Sequence, residues 1–318
     1  MSDESQKKKW MPGYLSRDEY LKLLAESSER LNIRLTNNYS FRKTFKDIIV
    51  AKGFSMALLG LREDEIEDLE VVDPFEEGEC DEEKEGILDV KLKLKDGRKI
   101  NIEMQNRLQQ DWIERSLFYN CRMFVEGFRY GRPYRELAPC IHVGILDFNL
   151  MKSQRFHHEI TLRDTKTDEL YSGKFLFHVI ELKKLDDVPQ SEQNTPLYRW
   201  ARLIAAKDWK EVCEVANGDT YLEAARDVMD KINQDRVERY LYLRREMAYT
   251  DEISRMETAE KMGLEQGMEK GMKEGIKEGI QRVNNLNIRL IQENRFEDLE
   301  KAAKDEVYRE QLFKEFDL

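Results

Sequence analysis

Paired cysteines are missing from this chain. Its four cysteines, Cys80, Cys121, Cys140 and Cys213, stand far apart with no C-x-x-C pair. That speaks against a zinc ribbon and against a disulfide scaffold, and makes reduced cytosolic thiols the expectation. Long apolar runs are missing as well: no stretch approaches the roughly 20 apolar residues of a membrane helix. The first ten residues carry lysines with no apolar run behind them, so they do not read as a secretory signal. A cytoplasmic protein without a membrane span is expected. The G-x-S-x-G elbow and any Cys/His signature are also absent, which leaves acyl-transfer and thiol catalysis unsupported. Histidine is scarce. Adjacent His157 and His158 would point to opposite faces of a strand, a poor arrangement for a shared metal, and His142 and His178 fall inside apolar strands as hydrogen-bonded core residues.

What is present is core and charge. Of 318 residues, 40% are hydrophobic, enough to bury a real core in roughly two domains. The net charge of −11 is unevenly spread. Residues 62–86 hold fourteen Asp and Glu against Arg62 and Lys84, a local −12, so the other 293 residues sum to +1. Residues 106–135 carry six arginines against Asp111, Glu114 and Glu126, a local +3. The acidic stretch reads as a solvated loop with a short strand at 69–72, and an anionic partner is not excluded by net charge.

Ser16 with Glu19 three residues later is a capping box that opens a helix over 17–30. Residues 38–50 place Phe41, Phe45, Ile48 and Ile49 on one helical face, followed by a short helix over 54–61. A long amphipathic helix is expected over 111–130, with Trp112, Leu117, Phe118 and Phe124 as apolar mass. Arg115, Arg122 and Arg129 recur along it at heptad steps, drifting about 20° per step. Strands are expected at 141–148, 156–162 and 174–182, and helices over 196–216, 219–232 and 235–262. Strand, strand, helix, strand through 87–148 gives an α/β sheet with a helical cover.

Residues 87–106 carry the most information. Leu88, Val90, Leu92 and Leu94 alternate with polar residues, as do Ile100, Ile102 and Met104, around Lys95-Asp96-Gly97. This is a β-hairpin pattern. A two-residue turn would pair Lys95 with Arg98. A three-residue loop with Gly97 left-handed would pair Leu94 with Arg98, and only that register puts both apolar sets on one face. The other face then carries Asp89, Lys91 and Lys93 across from Lys99, Asn101, Glu103 and Gln105. Two carboxylates side by side repel unless a cation lies between them, and such oxygen ligands suit Mg²⁺ or Mn²⁺. An ion so held lowers the pKa of a bound water and polarises a phosphate oxygen. Gln105 can hydrogen-bond that water but supplies no positive charge. An exposed polar strand face that merely carries two acids is the competing reading.

Gly86-Ile-Leu-Asp89-Val90, then thirteen residues after the aspartate Ile102-Glu103-Met104-Gln105, resembles the core of the PD-(D/E)XK nucleases. The likeness is closer to the transposase-like branch described as recombination-promoting nucleases, in which Gln replaces the motif's Lys. Leu35 to Phe45 is similar to that family's opening helix. Arg115 with Tyr119, Tyr134 to Pro139, Ile145 to Phe148 and Val179 to Lys183 follow in the same order, and the likeness spans roughly residues 10–190 plus the tail. The resemblance implies a restriction-endonuclease-like α/β fold: a mixed sheet flanked by helices, followed by an α-helical C-terminal region. It implies a metal-dependent DNA endonuclease associated with recombination, with Mg²⁺ or Mn²⁺ as cofactor and DNA as partner. Asp89, Glu103 and the Met104 carbonyl would hold the ion, with Gln105 in the lysine's place. Asn38 stands where relatives carry an acid, so its auxiliary role would be weakened. Arg115 and Arg122 are candidate DNA contacts. The rival reading is a non-catalytic nucleic-acid- or partner-binding protein on the same fold.

The domain plan expected is an arm and helix over 1–34, a nuclease-like core over 35–190, a helical region over 191–262 and a charged tail over 263–318. In that tail Gly263, Gly267, Gly271, Gly275 and Gly279 recur at a spacing of four, without the G-x-G-x-x-G of a phosphate loop. Docking on a partner helix, such as a second copy in a homo-oligomer, or mobility are both open.

Overall fold

The computed structural model describes residues 15–66, 69–72, 90–108, 111–129 and 131–318. The acidic stretch lies largely outside them. Two compact units divide the chain, Met1–Met247 and Ala248–Leu318.

The first unit is built on a six-stranded sheet. Its strands are β1 (Glu70–Val72), β2 (Val90–Lys93), β3 (Lys99–Gln105), β4 (Cys140–Leu146), β5 (His157–Arg163) and β6 (Leu170–Glu181). The order across the sheet is β1-β2-β3-β4-β6-β5. The β1–β2–β3 pairs are antiparallel, β3–β4–β6 run parallel, and β5 returns antiparallel to β6. The mixed sheet expected from the sequence is present.

The hairpin register is the one that parity demands. Val90 pairs with Ile102 and Lys93 with Lys99. The Gly97 amide donates to the Leu94 carbonyl at 2.9 Å, and the Leu94 amide to the Arg98 carbonyl at 2.9 Å. Gly97 sits at φ 88°, a left-handed conformation that a Cβ would strain. Val90, Leu92, Leu94, Ile100, Ile102 and Met104 therefore share one buried face.

That face packs on helices α2 (Asn38–Phe45), α3 (Ile48–Leu59), α5 (Pro196–Ala205), α6 (Trp209–Ala216) and α7 (Thr220–Gln234), around one apolar cluster, with α1 (Arg17–Glu26) outside it. Phe45 is its aromatic hub, stacked 4.2 Å from Phe41 and edge-on to Phe54 at 5.1 Å, with Trp200 beyond at 6.0 Å. The opposite face is covered by α4 (Trp112–Val125), whose buried residues Trp112, Ser116, Asn120 and Met123 recur at helical spacing. The start of α8 (Arg236–Gln292) docks on α1: Arg239 donates to the Leu24, Ala25, Glu29 and Asn233 carbonyls.

Several helix limits differ from the pattern reading. The capping box at Ser16 and Glu19 is present, but α1 stops at Glu26. The segment 38–50 is two helices, because Asp47 turns to cap α3 by accepting from the Ile49 and Val50 amides. Ile48 and Ile49 are consequently 49% and 46% exposed and do not join Phe41 and Phe45. In the same way Asp208 caps α6, accepting from the Glu211 amide, and divides 196–216. Helix α4 ends at Val125, ahead of Gly127 at φ 74°, so Arg129 is not on it. Leu117 and Phe118 face solvent at 43% and 62% exposure instead of packing.

The second unit contains the rest of α8, with α9 (Phe296–Lys304) and α10 (Glu306–Glu315). Its own small core is Leu286, Leu290, Ala302, Leu312 and Phe313. Helix α8 continues through Gly263 to Gly279, beyond the expected end near 262. Among the described residues no helix is long and apolar enough to cross a membrane.

Candidate active site

Side chains of β3 alternate, so Lys99, Asn101, Glu103 and Gln105 face α4. Two of these are deeply buried polar groups: Asn101 is 1% and Glu103 3% exposed. The edge of the patch is tied to the end of α4. Lys99 Nζ donates to the Met123 carbonyl at 2.9 Å and the Glu126 carbonyl at 2.6 Å, and Lys91 Nζ donates to Glu126 Oε1 at 2.6 Å. Ammonium groups at a helix C-terminus satisfy its orphan carbonyls and suit its dipole.

Glu103 is the centre of the patch. Arg115, three residues after Trp112 and thus on the inner side of α4, donates to Glu103 Oε1 at 2.5 Å. Burial pushes the Glu103 carboxyl above the usual carboxylate range, and the charge and hydrogen bond of Arg115 oppose that rise. On the other oxygen, His142 Nε2 stands 3.9 Å from Oε2. Burial drives the His142 imidazole down to about 3, with the Arg115 charge adding to it, so the ring is neutral at physiological pH. Its Nδ1 lies 3.1 Å from Asn101 Nδ2.

Space for this arrangement comes from Gly144, opposite Glu103 on β4. A Cβ there would lie 2.3 Å from Trp112 Cζ2, so the missing side chain lets the indole lie against the sheet. Trp112 closes over His142, with ring centroids 6.1 Å apart.

The remaining residues singled out from the sequence fall as follows. Asp89 lies outside the described residues; β2 begins one residue later, at Val90 opposite Ile102. Gln105 is half-buried, two residues from Glu103 on the same side of β3, and its carbonyl accepts from the Asp147 amide at 2.9 Å. Met104 pairs with Ile145 in the parallel ladder and buries its side chain in the opposite core. Asn38 is the first residue of α2, half-buried, while Asn37 caps that helix. No hydrogen bond joins Asn38 to Glu103 among the described residues. Arg122 is exposed, two turns along α4 from Arg115. In the sequence alone His142 reads as core and Asn101 as strand face, and nothing there signals their nearness to Glu103. It arises from the parallel β3–β4 pairing of Asn101 with His142, which joins strands separated by a whole helix.

Glu103 and Gln105 supply two oxygen donors of the kind a hard divalent cation takes. Glu103 offers a buried carboxylate that burial destabilises as an anion and that already recruits a cationic group. Gln105 offers an amide oxygen, the second oxygen type suited to Mg²⁺. Among the described residues no group of three or more His, Cys, Asp or Glu is placed to hold a metal ion.

A mixed sheet flanked by helices, with an antiparallel hairpin delivering a buried glutamate and, two residues on, a glutamine, defines a restriction-endonuclease-like α/β protein with a helical C-terminal region. The chain belongs to the PD-(D/E)XK nuclease family transposases, whose family profile matches residues 35–259. Membership supports a nuclease-like function. No curated protein and no solved structure matches the chain.

Proposed function

We propose that this protein is a metal-dependent DNA endonuclease that hydrolyses phosphodiester bonds, in the service of DNA recombination. The observation that carries the reading is the buried Glu103 on β3, held at one oxygen by Arg115 and followed on the same strand face by Gln105. A carboxylate at 3% exposure with a guanidinium as its neighbour is costly as structure alone, and the family match gives it a use.

Glu103 and Asp89, with the Met104 carbonyl, would hold Mg²⁺ or Mn²⁺. When bound, the ion supplies Lewis acidity toward a phosphate oxygen and acidifies its water. Glu103 binds and orients. Gln105 accepts a hydrogen bond from the attacking water or donates one to a phosphate oxygen. Arg115, released from Glu103, and Arg122 on the exposed side of α4 would meet phosphates of the substrate. Asn38, an amide that brings no charge, would contribute least. The charged C-terminal region is the proposed site of self-association. Its row of exposed Met268, Met272, Ile276 and Ile280 supports that part. The proposed setting is the cytoplasm.

Supercoiled plasmid is the direct substrate for the metal requirement. Incubation with Mg²⁺ or Mn²⁺ should yield nicked or linear DNA, and excess EDTA should stop it. Binding without any cutting in either ion would instead support a non-catalytic nucleic-acid-binding protein.

A further inference from the structure

In the described part of the site, Asn101 Oδ1, Trp112 Nε1 and His142 Nε2 are buried without a hydrogen-bond partner, and of these His142 Nε2 stands 3.9 Å from the Glu103 carboxylate that the proposed function uses. His142 is 0% exposed, and its Nε2 has no hydrogen-bond partner among the described residues. Orphaned buried polar atoms are rare enough to demand a reason. The ring is fixed on every side. Trp112 closes one flank, Phe177 of β6 stands at 6.0 Å on another, and Asn101 meets Nδ1 across the β3–β4 ladder.

That contact selects a tautomer. The Asn101 amide is turned with Nδ2 toward His142 Nδ1 at 3.1 Å, an orientation that matches a lone pair on Nδ1. A neutral imidazole then carries its single proton on Nε2. The same choice follows from the other side. Glu103 Oε2 lies 3.9 Å from Nε2, and a carboxylate attracts an N–H and repels a lone pair. That distance is beyond a hydrogen bond, and catalytic hydrogen bonds often tighten only in the substrate complex.

We propose that His142 is a positioning residue for Glu103: Asn101 holds its imidazole as the Nε2–H tautomer, and that N–H would donate to Glu103 Oε2 when Glu103 serves as a ligand of the divalent cation. The inference rests on the endonuclease reading above. The two carboxylate oxygens would then have separate roles, Oε2 anchored to the sheet and Oε1, which Arg115 holds, serving as the ligand. Anchoring one oxygen removes rotamer freedom from a long side chain that must present the other, which is how outer partners sharpen ligand geometry. Because Nε2 is protonated, His142 itself is not a ligand.

Two measurements on the full-length chain test this. The first needs no metal. With only four histidines in the chain, two-bond ¹H–¹⁵N spectra resolve each ring, and loss of one pattern in His142→Gln assigns it. The expected result is an Nε2–H tautomer for His142; an Nδ1–H tautomer overturns the proposal. The second is Mn²⁺ binding followed by electron paramagnetic resonance. His142→Leu should weaken binding roughly 10- to 100-fold, the range for outer-partner substitutions. His142→Gln, whose amide N–H can point where Nε2–H did, should recover most of that loss. Circular dichroism establishes that each variant is folded. A folded His142→Leu that binds Mn²⁺ like wild type refutes the positioning role alone. Wild-type protein that binds no Mn²⁺ refutes the endonuclease reading and the inference with it.

Discussion

Glycine at position 144 decides how closely α4 approaches the sheet, because the Trp112 indole occupies the space a side chain would need. Gly144→Ala should therefore destabilise the first unit by about 1–3 kcal/mol, the usual cost of overpacking. Paired with Trp112→Leu, it should cost less than the sum of the two single changes. Thermal melts of the four proteins check both statements; additive losses would place the clash elsewhere. The stacked pair His157 and His178, with His157 Nε2 2.9 Å from His178 Nδ1, gives a pH prediction. Burial lowers both rings from 6.5 to about 4, and for His157 the neighbouring His178 adds to the effect. Folded-state values below the unfolded value mean that the unfolded chain takes up protons first as pH falls. The pair's contribution is thus complete above pH 6.5 and is lost as pH drops toward about 4. A His157→Phe, His178→Phe double variant should lose melting temperature less steeply across that window, as differential scanning fluorimetry at stepped pH would show.

The β2–β3 hairpin is the element on which the site depends, since its register decides whether Glu103 faces α4 or the apolar core. Gly97→Ala, at φ 88°, should cost about 1 kcal/mol by chemical denaturation while leaving the register unchanged. This register was legible in the sequence because strand parity is local: Leu92, Leu94, Ile100 and Ile102 must share a face whatever lies beyond them. The glutamate and glutamine on the opposite face were legible for the same reason. Helix limits were not. Asp47 and Asp208 stop their segments through side-chain hydrogen bonds to amides two or three residues on, and apolar spacing runs straight across both positions. The arginine heptad failed at Arg129 because α4 ends first. The partners of Glu103 were hidden for a different reason. Arg115 reaches it through the docking of a helix, and His142 through a parallel pairing formed only after that helix crosses the sheet.

At the scale of the whole chain, Leu286, Leu290, Ala302, Leu312 and Phe313 form a core belonging to the second unit, while every contact described around Glu103 lies within the first. A chain ending at Thr258 keeps Arg239 and Tyr242, which anchor the start of α8, and should retain metal-dependent nicking while losing self-association in sedimentation experiments. Loss of nicking by a truncated chain that is still folded would contradict that division of labour. The central claim is that Glu103 is the carboxylate through which this protein cuts DNA, and plasmid nicking by the full-length chain with Glu103→Gln beside wild type tests it most directly. Removing a ligand worth several kcal/mol of transition-state stabilisation should reduce nicking about 100-fold or more in Mg²⁺ or Mn²⁺. A folded Glu103→Gln protein that nicks at the wild-type rate would contradict it.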